Sequence, residues 1–139
     1  MMSTPESAYT KTGGLLSFAR MLSKIRLHAA GQLREDFHAN LGRFADAWCC
    51  GFLHVEYETL RVRVLEGGTN EEILAWCQAQ GRSLNETDVL IWNHFIATLG
   101  RHDFATPSLR KLKAENGLAD RDEIHTMIDF FEYDEGRKA

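Results

Sequence analysis

The chain of 139 residues has few cysteines, few prolines and no long apolar run, and these shortages close off several classes of explanation. It holds three cysteines, two of them adjacent at Cys49 and Cys50. A chain of this length can bury a single core without disulfide staples, and neighbouring thiols in a reducing compartment read as free. No stretch approaches the roughly 18 consecutive apolar residues that a membrane span needs. The first apolar run is interrupted by Ser17 and followed by Arg20, Lys24 and Arg26, so it does not read as a secretory leader. A long basic run and a nucleic-acid recognition motif are also missing, and a net charge of −4 disfavours a phosphate backbone as partner. So are a phosphate-binding glycine fingerprint, a nucleophile elbow and a metalloprotease helix. The expectation is a cytoplasmic protein with no membrane and no nucleic-acid partner.

What is present is ordinary in bulk, with 44% apolar and 26% charged residues. The charge is uneven: residues 1–63 hold 8 Lys/Arg against 6 Asp/Glu, and residues 64–139 hold 8 against 14. The organising stretch is Gly13 to Gly31. At about 100° per residue, Leu15, Phe18, Leu22, Ile25 and Ala29 fall on one line of a helix. Leu16, Ala19, Met21, Leu27 and Ala30 widen the apolar arc until Ser17, Arg20, Lys24 and His28 remain as a narrow polar stripe. A helix so widely apolar is expected to be enclosed by others, with Gly31 closing it in a left-handed conformation. Arg26 falls inside the apolar arc, where a guanidinium must snorkel or find a specific partner.

The segment ARMLSKIRLHAAG resembles the opening motif of an uncharacterised bacterial family, the domain-of-unknown-function 5069 family. Later stretches, FLHVEYETL, EEILAWCQ and IWNHF, are similar to that family's order of elements, and the likeness spans most of the chain. Between the Met and the Lys, where that family often carries an acidic residue, this chain has Ser23. The resemblance implies a small, soluble, helical bacterial protein and brings no activity, cofactor or catalytic residue with it.

In chain order, residues 1–12 are polar, contain Pro5 and show no period, which predicts a flexible N-terminal arm. Residues 13–139 then form a single helical domain. After Gly31, QLREDFHANLGR reads as a loop with one short turn. Residues 44–53 form a helix weakened by Gly51, and residues 56–66 form another that Gly67 and Gly68 end, although Val62 and Val64 alternating with Arg61 and Arg63 mimic a strand. Thr69 with Glu72 and Ser83 with Glu86 are capping-box signatures for two further helices, the second running to Leu99. Asp88, near the apolar face of that helix, is the expected partner of Arg26. Thr106 and Pro107 start a short helix that ends at Gly117, and Asp120 with Glu123 caps the last one, which finishes in Glu132, Asp134 and Glu135. The reading is all-α: a compact bundle of six or seven helices around an early central helix.

The candidate ligand-binding residues are Arg20, Lys24, Arg26 and His28. The four-residue steps from Arg20 to Lys24 to His28 raise their side chains on one side of the helix, within reach of one small anion. As a plain alternative, they form a solvated stripe. Asp46, Cys50 and His54 would align a carboxylate, a thiol and an imidazole of the kind zinc accepts, but only three ligands are local and no paired Cys-x-x-Cys completes a site. Core thiols are the commoner reading, so no metal and no cofactor is expected. Glu35 with His38 and Asp122 with His125 have the acid-x-x-His spacing of di-metal bundles without the matching carboxylates. His102 and Asp103 in GRHDF could form an oriented imidazole, with no identifiable nucleophile. Two function classes follow. One is a non-catalytic module that binds a protein partner or forms a homodimer, using aromatics among Trp48, Trp76, Trp92 and Phe130 that exceed what one core can bury. The other is a pocket protein or small enzyme for an anionic metabolite, clamped by the cations of the first helix.

Overall fold

A computed structural model describes residues 2–139. The described residues form seven α-helices and one 3-10 helix, with two isolated bridges and no strand, so the protein is all-α. The helices are α1 (Phe18–Ala29), α2 (Ala45–Leu53), α3 (Tyr57–Leu65), α4 (Asn70–Gln80), α5 (Glu86–Thr98), α6 (Thr106–Glu115) and α7 (Met127–Asp134), with the 3-10 helix Glu35–Asn40 between α1 and α2. The described residues contain no helix long and apolar enough to cross a membrane. The chain divides into two compact units, Met1–Leu90 and Ile91–Ala139, and α5 begins in the first and ends in the second.

In the first unit, α1 starts later than its apolar pattern suggests. Thr12 and Leu15 exchange backbone hydrogen bonds of 3.1 and 2.9 Å around Gly13 and Gly14, whose φ values of 55° and 82° are those a tight two-residue turn demands. The two glycines therefore form a turn, and the helix begins only after Ser17. Leu15 and Leu16 are still buried, along with Phe18, Ala19, Met21, Leu22 and Ile25 of the helix. The far end behaves as expected: Gly31 at φ 70° donates to His28 O and Gln32 donates to Leu27 O, a Schellman closure. Residues 2–12, the described part of the segment expected as a flexible arm, make specific contacts. Ser3 bridges Leu33 through bonds to Gln32 O and from Arg34 N, Ser17 N donates to Ala8 O, and Pro5 and Ala8 are fully buried.

α4 carries the full capping box, with Thr69 accepting from Glu72 N and Glu72 accepting from Thr69 N. The expected box at Ser83 and Glu86 is displaced by two residues. Asn85 and Asp88 cap each other reciprocally at 2.9 and 3.0 Å, because Asn85, directly before the first residue of α5, presents its Oδ1 to a free amide of the first turn. α3 is a helix despite its alternating valines, since only Leu60 and Val64 face inward while Val62 stays half exposed.

In the second unit, Leu109, Ile124 and Phe130 form the core, with Leu112, Leu118, Met127, Phe131 and Tyr133 packed against them. Pro107 stands in the first turn of α6, as expected. The last helix does not begin at Asp120. Lys113 Nζ donates to the carbonyls of Arg121 and Ile124 at 2.7 and 3.2 Å, which holds residues 119–125 in successive turns. α7 then starts at Met127, where Thr126 accepts from Asp129 N. Its acidic end is neutralised locally: Glu132 and Glu135 pair with Arg137, and Asp129 pairs with Lys138.

Two glycines of the first unit should respond oppositely to an added methyl. At Gly81 a Cβ would lie 2.0 Å from the backbone oxygen of Leu53, so Gly81→Ala forces the chain apart and should cost at least about 1–3 kcal/mol. At Gly51, inside α2 with nothing within 4 Å, Gly51→Ala should add about 0.5–1 kcal/mol. Urea melts of both variants decide this, and equal midpoints would contradict the packing described.

Candidate functional site

The polar stripe of α1 is fully employed within the first unit. Arg20 is buried, donates to Glu6 O at 3.1 Å and lies over the ring of Phe37. One turn on, Lys24 Nζ meets Asp46 of α2 at 2.8 Å. Arg26 does not pair with Asp88. It reaches Asn70 Oδ1 at 2.5 Å and Gly68 O at 3.4 Å, at the start of α4, while Asp88 caps α5 and faces Arg82. His28, exposed at the end of α1, meets His38 edge to face with ring centres 4.9 Å apart. The three cations are thus directed to three different segments, because each buried or half-buried charge takes the nearest acceptor.

Asp46 is the most enclosed carboxylate of this region. Besides Lys24 it accepts from Gly42 N at 3.1 Å, and Gly42 sits so close to Tyr57 that a Cβ there would come within 2.8 Å of the ring. Cys50 lies one turn on from Asp46 and donates to Met21 Sδ at 4.0 Å, whereas His54 ends α2 in the left-handed region and is exposed. The geometry therefore disperses the Asp46, Cys50 and His54 set. No group of three or more His, Cys, Asp or Glu side chains among the described residues could hold a metal ion. The thiols are poor nucleophiles. Burial first and the Asp46 charge second push Cys50 up to about 12; burial pushes Cys77 to about 11; and Cys49 is raised by burial and then by Cys50. The same two causes, burial and then Asp46, raise the Tyr57 phenol.

Neither acid-x-x-His pair lies on an α-helix. Glu35 and His38 share the 3-10 helix, where His38 Nε2 bonds Leu33 O at 2.9 Å, and Asp122 and His125 lie in turns rather than on a helix. A shallow groove of about 390 Å³ runs between α3 and α4, lined by Glu58, Thr59, Val62, Arg63, Glu66 and Trp76.

In the second unit, the loop that carries His102 and Asp103 also presents a residue that the sequence did not single out, Phe104. Between α5 and α6, Asp103 accepts from Gly100 N at 3.1 and 3.0 Å and from Ala105 N at 2.8 Å. Thr106 Oγ1 accepts from Asp103 N and donates to Gly100 O, which closes the loop on itself. Asp103 is therefore occupied with amides instead of orienting His102, which stands at φ 52° and is exposed. This loop presents Phe104 with 66% of its surface exposed, stacked on Phe95 of α5 with ring centres 6.3 Å apart and planes 15° apart. Ile91, one turn before Phe95, is 60% exposed. Trp92 and Phe130, expected as surplus aromatics, are buried, and Trp48 and Trp76 are half-buried. The available signal was punctuation: a phenylalanine between Gly100 and Pro107 has no helix in which to hide.

Removing the cation from Asp46 should be severe, because it leaves an enclosed carboxylate with only one amide. Lys24→Met is expected to cost about 3–5 kcal/mol, and adding Asp46→Asn should recover part of it. Chemical denaturation measures both, with exposed Lys11→Met as reference; a loss no larger than that reference would remove the pair from the account. The thiols set a pH dependence. They stay protonated in the fold after the unfolded chain has ionised, so their contribution is complete below the ordinary value of 9.0 and is lost as pH rises toward 12. Urea midpoints should fall over that window, and replacing Cys50 and Cys77 by Ala should flatten the fall.

Among known families, the one described as a domain of unknown function (DUF5069) matches residues 2–137. No curated protein matches the chain.

Proposed function

Because the chain belongs to the DUF5069 family, a domain of unknown function that supplies no reaction to start from, we propose a role from the geometry: a non-catalytic module that binds a protein partner, a second copy of itself included. The observation that carries this reading is the state of Phe104, a large apolar side chain held in water by a loop that Asp103 and Thr106 close with their hydrogen bonds. Leaving such a ring outside forgoes about 1.5–3 kcal/mol of burial. A ring already fixed by stacking on Phe95 loses little freedom when a partner covers it, which is how aromatic anchors come to dominate interfaces. Ile91 extends the same apolar ridge along α5.

The competing reading, an anionic metabolite held by Arg20, Lys24, Arg26 and His28, has less support. Three of these groups would first have to give up Glu6 O, Asp46 and Asn70. The setting proposed for the module is the bacterial cytoplasm, with neither membrane nor nucleic acid as its partner.

A photo-crosslinking phenylalanine analogue placed at position 104 in living cells should give a discrete protein adduct or a covalent dimer, and Ile91→Ser should weaken it. The same probe at exposed Tyr9 serves as control. If position 104 yields no more adduct than position 9, the ridge is not a binding face.

A further inference from the structure

We propose that the segment docking on the Phe104 ridge is acidic: an apolar-anchored stretch of protein rich in carboxylates. This rests on the reading of that ridge as a protein-binding face and adds the chemistry of the partner. The argument starts from charge. Residues 91–114 hold Arg101, Arg110, Lys111 and Lys113 against Asp103 alone, a balance of +3 in a chain whose total is −4.

The disposition of those charges matters more than their number. Lys113 is turned inward onto the carbonyls of Arg121 and Ile124. Asp103, the only carboxylate of the segment, is turned inward onto the amides of Gly100 and Ala105. Arg101, Arg110 and Lys111 are exposed, and their side chains make no hydrogen bond or ion pair with the described residues. Arg101 stands in the closed loop three residues from Phe104, next to exposed His102, and exposed His94 precedes Phe95 on α5. Arg110 follows one turn into α6, about 6 Å along its axis from Thr106.

The rest of the unit behaves differently. Residues 115–139 hold 8 acidic against 3 basic residues, and Glu123, Asp129, Glu132 and Glu135 are each taken by a neighbouring Arg or Lys. Three exposed cations without internal partners therefore belong to the loop that carries Phe104 and to the helix that follows it, in a unit that neutralises many of its acids. Opposite charges around an apolar anchor steer encounter and exclude partners of the wrong sign. Three uncommitted cations do not make a phosphate track, and an acidic chain repels a polyanion, so a protein segment is favoured over RNA. One phenylalanine and one isoleucine are a small insertion for a lipid surface, which needs a broad apolar face.

The test is selection from a random peptide library displayed on phage, run on the full chain. Wild-type protein should enrich peptides of net negative charge carrying an aromatic or aliphatic anchor. Arg101→Glu, Arg110→Glu and Lys111→Glu together should weaken the selected peptide by about tenfold or more. They should also shift the enriched sequences toward neutral or basic ones, while circular dichroism stays unchanged. Enrichment that is lost with Phe104→Ser but is neutral in charge and indifferent to the triple reversal overturns the acidic partner and leaves the binding face standing. No enrichment that depends on Phe104 overturns both. A poly(U) oligonucleotide or phosphatidylglycerol vesicles binding more tightly than the selected peptide would also overturn the proposal.

Discussion

A charge taken out of water must be met by an opposite charge or a dipole, and in the first unit α1 imposes that demand three times. Arg20, Lys24 and Arg26 leave one helix and end on the N-terminal segment, on α2 and on the start of α4. Each contact is long-range in sequence, so a helix with a narrow wet edge becomes the tie between segments that share no local signal. The pair with Asp46 is the strictest of these, because both partners are nearly out of solvent and Gly42 can come close enough to complete the carboxylate only by lacking a side chain. Enclosed pairs of this kind fix arrangement more than they add net stability.

With those cations committed, the groups free to meet something external lie elsewhere. The closed loop after α5 resolves its polar demands internally, through Asp103 and Thr106, and thereby holds outward what a helix would have buried. In the first unit the cations of α1 join the chain to itself; in the second, Lys113, Arg137 and Lys138 do the same, whereas Arg101, Arg110 and Lys111 are left facing water.

The parts of this arrangement legible in the sequence are those decided within one turn of chain. Thr69 and Glu72, Pro107, and Gly31 after an apolar run each carry their mechanism in adjacent residues, and each acts as read. The misreadings arise where a distant group wins. Helical periodicity beginning at Leu15 could not reveal that Gly13 and Gly14 turn the chain back, and the acids from Asp120 onward look like a cap until Lys113 claims the carbonyls behind them. Asn70 in place of Asp88 as the partner of Arg26 is the same kind of miss: composition says that a partner is needed and leaves its address open. For the candidate site, the polar residues of α1 were visible because of their spacing. Phe104 was not, because exposure of a lone aromatic follows from how its loop closes.

The docking of the N-terminal segment has a consequence for synthesis on the ribosome. Ser3 finds its backbone partners at Gln32 and Arg34, about thirty residues further along. The segment around Ser3 is therefore synthesised before its partners exist and can dock only once α1 and the turn after it have followed, so in that interval its backbone groups are met by water.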